Sequence, residues 1–361
     1  MTKTRRAVPT RKKATKNRPT GLTSEKKKLN GGSGHLTSAA VIEFNEAVKD
    51  YGNNKIIGPA NLSIMKGEVV GFLGPNGSGK TTCIRLILGL IKATSGAVAV
   101  NGFDPINHHV QALRGVAYSP ELPNIQTFLN PEEFLNLISH ELDFKSSQSR
   151  SQEIARVLEL VGLHEYSRTK IGKLSKGMVQ RLSVAQALIG SPETLILDEP
   201  MIGLDPAGVA HFRDVFRDFA AGGKGTVFMS SHIMSEVESL CTSIAMIHHG
   251  KILFKGSANE VEQKVLDYSL IRLETSPLTA QMIQQLREIP GVDNVDVLSN
   301  QNGQSMTALE IRVSEREVDL RAQVSDFVVR SGAKLYTIKQ GENMLERAYL
   351  EALKETDGGK S

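Results

Sequence analysis

Gly74-Pro75-Asn76-Gly77-Ser78-Gly79-Lys80-Thr81 is the stretch on which the fold turns. It satisfies G-x-x-x-x-G-K-[ST] at every fixed position. Its flanks supply the context that motif needs. Glu68-Val69-Val70-Gly71-Phe72-Leu73 is an apolar run of strand length, and Thr82-Cys83-Ile84-Arg85-Leu86-Ile87-Leu88 carries apolar residues at helical spacing. Strand, glycine-rich loop and helix in that order predict a phosphate-binding loop. The glycines let successive backbone N–H groups curl around one anionic cavity. The helix that follows points its positive dipole end at the same place. Lys80 is then the side chain that reaches the β- and γ-phosphates, and the Thr81 hydroxyl the one that binds Mg²⁺.

The whole chain sets outer bounds. Its 361 residues suffice for two to three domains, and its composition is that of a globular protein with ample apolar residues for large cores. No apolar run approaches the roughly 18–20 residues of a membrane-spanning helix, so membrane work would require a partner chain. The basic N-terminus is followed by no apolar segment of a secretory signal. Cys83 and Cys241 are the only cysteines. They make neither a disulfide framework nor a metal cluster and suit a reducing cytosol. Cys83 falls behind the phosphate loop as a small buried apolar residue.

The net charge of +4 conceals an uneven distribution. Residues 1–38 hold eleven Lys or Arg against the single Glu25. The remainder is therefore mildly acidic. Residues 1–38 are poor in large apolar side chains and are expected to be a disordered basic tail. Arg11-Lys12-Lys13 and Lys26-Lys27-Lys28 could touch anionic lipid, at about 1 kcal/mol per charge near the surface. They could also touch nucleic acid without sequence preference, although no aromatic residues interleave the charges. A solvated tail with no dedicated partner is the plain alternative.

Beyond the tail the chain reads strand, turn, strand, phosphate loop and helix from Val41 to about Thr94. Ala97–Val100 and Val116–Ser119 follow as strands. Helical periodicity runs from about Pro131 to Leu163. Apolar strands at Thr194–Leu197, Thr226–Met229 and Ile244–Ile247 then alternate with helices, which predicts a parallel sheet covered on both faces. Near residue 265 the texture changes. Strands at Ser269–Glu274, Val292–Leu298, Thr307–Val313 and Ala333–Lys339 interleave with helices at Thr279–Glu288 and Val318–Arg330, and Glu342–Leu353 is a last helix. That order, β-α-β-β-α-β, is the ferredoxin-like split unit. The segment carries no Cys, His or Trp, so regulation or dimer contacts suit it better than catalysis.

A second nucleotide element lies at Leu195-Ile196-Leu197-Asp198-Glu199. An apolar strand that ends in a carboxylate places that carboxylate beside the phosphate loop, where it helps hold Mg²⁺. The adjacent Glu199 can orient or deprotonate an attacking water. Upstream stands Leu174-Ser175-Lys176-Gly177-Met178, which looks like the signature LSGGQ. Downstream come Pro200, then Gly203-Leu204-Asp205-Pro206, then Ser230-Ser231-His232. In order and spacing this set resembles the nucleotide-binding subunit of an ATP-binding cassette (ABC) transporter. The resemblance covers about residues 41–260, and residues 265–355 are similar to the small accessory domain of type-2 ABC exporters.

The resemblance implies an α/β fold: a P-loop ABC cassette of residues 39–264, with a mostly parallel sheet, an antiparallel β subdomain and a helical insert at about 131–170. A small α+β ferredoxin-like domain, 265–361, would follow it. It implies that Tyr51 stacks on adenine and that Gly74, Pro75, Asn76, Gly77, Ser78, Gly79, Lys80, Thr81 and Thr82 cradle the phosphates. Thr81, Asp198 and Glu121 would serve Mg²⁺. Glu199 would act on water, and His232 would hydrogen-bond the γ-phosphate. Ser175, Lys176 and Gly177 would close over the nucleotide held by a second cassette, with Asp205 at the contact between the two.

The sequence departs from the family pattern at three places. Glu121 occupies the usual glutamine of the Q-loop, as type-2 exporters often show. Lys176 replaces a glycine and Met178 a glutamine, while Ser175 and Gly177 remain. The expected function is ATP binding and hydrolysis with ATP and Mg²⁺ as cofactors, powering export through a separate transmembrane permease from the cytoplasmic face of the cell membrane. The cassettes would act as a homodimer or heterodimer. The alternative is a soluble ABC ATPase acting on the ribosome or nucleic acid. Such translation factors usually carry two cassettes in one chain, and chromosome-type relatives carry a long coiled coil that is absent here.

Overall fold

The computed structural model describes residues 40–52, 56–266, 268–299, 306–314, 319–340 and 344–358. The basic tail at 1–38 lies outside them, as do Val318 and Glu342 at the starts of two expected helices.

The chain opens with β1 (Ala40–Asp50) and β2 (Ile56–Met65), followed by β3 (Val69–Leu73), the phosphate loop and α1 (Lys80–Ile87). Next come β4 (Ser95–Val100), the short α2 (His109–Ala112) and β5 (Val116–Ser119). The helical insert holds α3 (Pro131–Ser139) and α4 (Ser147–Leu160), and α5 (Lys176–Leu188) leads back to the sheet. Then follow β6 (Thr194–Leu197), α6 (Pro206–Ala220), β7 (Thr226–Ser231), α7 (Met234–Leu240), β8 (Ser243–His248), β9 (Lys251–Gly256) and α8 (Ala258–Val265). The last elements are β10 (Ser269–Thr275), α9 (Ala280–Arg287), β11 (Val292–Ser299), β12 (Thr307–Val313), α10 (Arg321–Arg330), β13 (Leu335–Gln340) and α11 (Met344–Gly358).

The central sheet has the order β5-β6-β7-β3-β8-β9. Every neighbour in it is parallel except the β8–β9 hairpin. Strands β3, β6 and β7 are buried along their whole length. This is why they read as unbroken apolar runs rather than as alternation. One face carries α1 and the antiparallel sheet β2-β1-β4 over a core that includes Phe72 and Phe228, their rings 5.2 Å apart. Each such side chain contributes about 1.5–3 kcal/mol by leaving water. The other face packs the helical insert through Phe134, Leu135, Val157 and Leu158 against Leu195, Leu197, Val227 and Met229. Asn130 opens the insert with a capping box: its side chain accepts from Glu133 N, while the Glu133 carboxylate accepts from Asn130 N.

The C-terminal sheet is antiparallel with the order β11-β12-β10-β13, the arrangement of a split βαβ unit. Its core of Leu273, Leu309, Ile311, Leu286 and Val324 is its own. Helix α11 does something else. Ala348 joins Leu73, Met246, Val261 and Leu270 in a cluster shared by the central sheet, α8 and β10. The chain thus folds back onto the cassette at its end. Among the described residues no helix is long and apolar enough to cross a membrane.

Candidate functional site

The strand order decides which loops meet. In a parallel sheet ordered β6-β7-β3-β8, the carboxyl ends of all four strands lie side by side, and ligands bind beyond such ends. β3 delivers the phosphate loop, β6 delivers Asp198 and Glu199, β7 delivers Ser231 and His232, and β8 delivers His249 and Gly250. Backbone hydrogen bonds tie these loops together. Gly74 N donates to Ser231 O (3.2 Å), Asp198 N to Ser119 O (2.9 Å) and Gly250 N to Ser78 O (2.8 Å).

A cleft of about 680 Å³ opens there. Tyr51, Pro75, Asn76, Gly77, Gly79, Lys80, Thr81, Thr82, Glu121, Asp198 and Glu199 line it, so most of the side chains expected to meet a nucleotide do share one cavity. Gly79 has a φ of 113°, which a residue with a Cβ rarely adopts, and it starts α1 with no side-chain cap. The first N–H groups of that helix are thereby left to the cleft. Ser78 is buried, and its Oγ has no hydrogen-bond partner within the protein. An orphaned buried hydroxyl beside an uncapped helix start is what a bound phosphate oxygen would satisfy, so the donor set fits a nucleoside triphosphate.

Charged groups are packed into the base of the cleft. Lys80, Asp198 and Glu199 are each at most 6 % exposed. Lys80 Nζ donates to Gly74 O (2.7 Å) and lies 3.2 Å from Glu199 Oε1. Asp198 Oδ1 accepts from Ser230 Oγ (2.6 Å), and its Oδ2 accepts from Thr81 Oγ1 (3.3 Å). Ser230 Oγ also accepts from Glu199 N (2.9 Å). His232 Nδ1 stands 2.9 Å from Glu199 Oε2. Burial pushes the Asp198 carboxyl above its usual range. The hydrogen bonds from Ser230 and Thr81 oppose that shift, the Glu199 charge adds to it, and Lys80 counters it. Glu199 holds a left-handed backbone with φ 48°, uncommon for a residue with a side chain and the kind of strain that collects at working sites. The donor set Thr81, Asp198 and Glu121, a hydroxyl with two carboxylates, is oxygen-only and suits Mg²⁺.

Ser175, Lys176, Gly177, Asp205 and His232 are not among the residues that line this cleft. Ser175 caps α5, its Oγ accepting from Met178 N. A Cβ on Gly177 would come within 2.7 Å of Gly203 O, which requires glycine there. Asp205 caps α6 by accepting from Gly208 N and is largely exposed. Tyr51 is half-exposed with Lys49 Nζ 5.4 Å from its ring centre. Cys83 is fully buried, and burial pushes its thiol up to about 12.

Sequence reading overlooked Ile56, Ile57, His249 and Gly250, which also line the cleft. The signal existed in the loop after β8, but only the strand order reveals that β8 neighbours β3. It named Ser230 within Ser230-Ser231-His232 but gave no role to this side chain, which joins Asp198 to the Glu199 backbone.

Comparison with known proteins agrees with this geometry. The family model described as ABC transporter matches residues 57–202. The chain is 35 % identical over 247 residues to the bacitracin transport ATP-binding protein BcrA of Bacillus licheniformis, covering 68 % of this chain and 79 % of that one. It is 32 % identical over 320 residues to the uncharacterized ABC transporter ATP-binding protein YhcH of Bacillus subtilis (strain 168), covering 88 % and 97 %. A solved structure of the ATP binding subunit of an ABC transporter superposes with a TM-score of 0.57 at 27 % identity, covering 62 % of this chain and 92 % of that one. The chain belongs to the ATP-binding subunits of ABC transporters.

Proposed function

We propose that this chain binds and hydrolyses ATP to drive export through a separate membrane-spanning partner. The observation that carries the reading is the convergence of Lys80, Thr81, Asp198, Glu199 and His232 from three adjacent strand ends into one hydrogen-bonded set. The uncapped start of α1, Ser78 and Lys80 hold the phosphates, with Tyr51 at the adenine end. Thr81, Asp198 and Glu121 would hold Mg²⁺, which when bound supplies charge neutralisation between the β- and γ-phosphates.

Glu199 orients a water toward the γ-phosphorus and takes its proton. The new P–O bond forms as the bond from the γ-phosphorus to the β,γ-bridging oxygen breaks, which yields ADP and phosphate. His232 holds Glu199 through Oε2, the oxygen opposite the one that Lys80 approaches. Ser175, Lys176 and Gly177 of a second cassette close over the nucleotide, with Asp205 at that contact. Ser175, Lys176 and Asp205 are exposed and Gly177 is partly buried, all outside their own chain's cleft, which suits a role in trans. ATP therefore favours the closed dimer, and hydrolysis reopens it. Similarity to proteins named for bacitracin transport supports transport over work on a ribosome or nucleic acid.

The test is Glu199→Gln. It removes the carboxylate charge but keeps the shape. Expected are ATP-dependent dimers on size-exclusion chromatography and hydrolysis slower by roughly 100-fold or more. Near-normal turnover would remove Glu199 from its role. Recovery of a multi-spanning protein with the chain from detergent-solubilised membranes tests the partner, and recovery of RNA instead would reject transport.

A further inference from the structure

His232 stands on a turn whose shape is held from the side away from the cleft. Ser231, the last residue of β7, is fully buried. Its Oγ accepts from Ile233 N (3.0 Å) and donates to Glu236 Oε2 (2.8 Å). The competing acceptor, Ile233 O, is farther at 3.4 Å. A hydroxyl has one proton, so the carboxylate takes it and the lone pairs are left for Ile233 N–H. This closes a hydroxyl-bridged turn around His232. On the other side, His232 Nδ1 meets Glu199 Oε2 at 2.9 Å.

Glu236 is itself firmly placed. It lies in the first turn of α7, next to Val237, which is fully buried. A Cβ on Gly71 of β3 would come 2.3 Å from Val237 Cγ1. The helix therefore rests directly on the backbone of the strand that feeds the phosphate loop. Glu236 carries the position of that strand to the turn after β7.

We propose that Glu236 is a positioning residue for ATP hydrolysis: it holds the Ser231 hydroxyl, which fixes the turn that aims His232 at Glu199. The inference rests on the hydrolytic roles given to Glu199 and His232. Glu236 does not line the cleft and acts only through Ser231. Burial pushes its carboxyl up, the Ser231 hydrogen bond holds it down, the Glu199 charge raises it and the His232 charge lowers it. The hydrogen bond rather than the charge does the holding, so an amide oxygen can replace the carboxylate.

The test is steady-state ATP hydrolysis by the full chain, with wild type and Glu199→Gln alongside. Glu236→Ala is expected to lower kcat by about tenfold, with the KM for ATP within about twofold of wild type. Glu236→Gln should retain at least about half of the wild-type kcat, because its side-chain oxygen still accepts the Ser231 proton. Ser231→Ala should match Glu236→Ala, and the double variant should be no worse than either single one. Ser231→Ala removes a single oxygen and carries the test if Glu236→Ala does not fold. Wild-type kcat in Glu236→Ala, an equal loss in Glu236→Gln, or additive losses would each overturn the inference. If wild type hydrolyses while Glu199→Gln does not, such a result overturns the positioning role alone. If wild type hydrolyses no ATP, the assignment of the cleft fails first.

Discussion

The nucleotide cleft and the C-terminal sheet use charge in opposite ways. At the base of the cleft, Lys80, Asp198, Glu199 and His232 share partners, and no bond in the set can change without disturbing another. In the C-terminal region, the charged groups of α10 pair with near neighbours, while Tyr268 links Glu351, Arg347 and Arg312. Arg347 grips Glu310 at 2.7 and 2.9 Å, Arg330 grips Asp326 at 2.9 Å, and Asp319 holds Arg321 at 2.8 Å. Arg312 lies over Tyr268 at 4.3 Å. Parallel strands converge their carboxyl ends and bury polar groups there, whereas the pairs Arg330–Asp326 and Arg321–Asp319 belong to α10 and its start and stand at the surface. A buried shared network can be re-sorted by a ligand, while solvent-exposed pairs contribute little.

The largest expected effect tests the shared network. Lys80→Ala removes a phosphate ligand and leaves Glu199 buried beside no cation. ATP affinity should fall by roughly 100-fold or more in a calorimetric titration, and retained tight binding would undo the contrast. Next comes the scaffold. Leu309 is fully buried at the centre of the C-terminal core. Leu309→Ala should cost about 2–5 kcal/mol in denaturant unfolding, with ATP affinity unchanged in the folded protein. A loss of affinity would show that the two regions are more tightly joined than their cores suggest.

Asp198 gives a smaller effect with a definite sign. Its folded-state pKa is raised above the ordinary 3.8, chiefly by burial. The ionised form therefore costs stability at neutral pH, and that cost fades as pH falls through the folded-state value. Asp198→Asn should melt higher than wild type at pH 7.5, and the gap should narrow as pH is lowered. A variant that melts lower would mean that the hydrogen bonds from Ser230 and Thr81 outweigh the burial of charge. The smallest effect belongs to Arg321. Its hydrogen bonds lower Asp319 from 3.8 to about 2, yet the pair is solvent-exposed and screened. Arg321→Ala should leave the melting temperature unchanged within error.

Legibility in the sequence followed the range of the interactions. The phosphate loop was readable because glycine spacing, a preceding apolar run and a following helical period are all local. The inner strands β3, β6, β7 and β8 were readable because their burial demands mostly apolar residues, whereas β9, only partly buried and carrying Lys251 and Lys255, went unread. The lateral order of the strands was not readable, since nothing in Ile244–Ile247 records that β8 lies beside β3. His249 and Gly250 were missed for that reason. Ser230 was read only as part of a motif, and Glu236 was missed because a glutamate on a short helix matches an ordinary surface residue. The C-terminal strands were read directly from the sequence, whereas the docking of α11 on the cassette depends on contacts far apart in the chain.

That docking bears on how the molecule is made. The ribosome exposes Leu73, Met246 and Val261 long before it synthesises Ala348, which covers them. Helix α11 is thus synthesised after the surface it covers. A chain stopped early at residue 340 would offer a bare oily wall to chaperones and proteases, and a pulse–chase comparison should find it cleared faster than the finished protein.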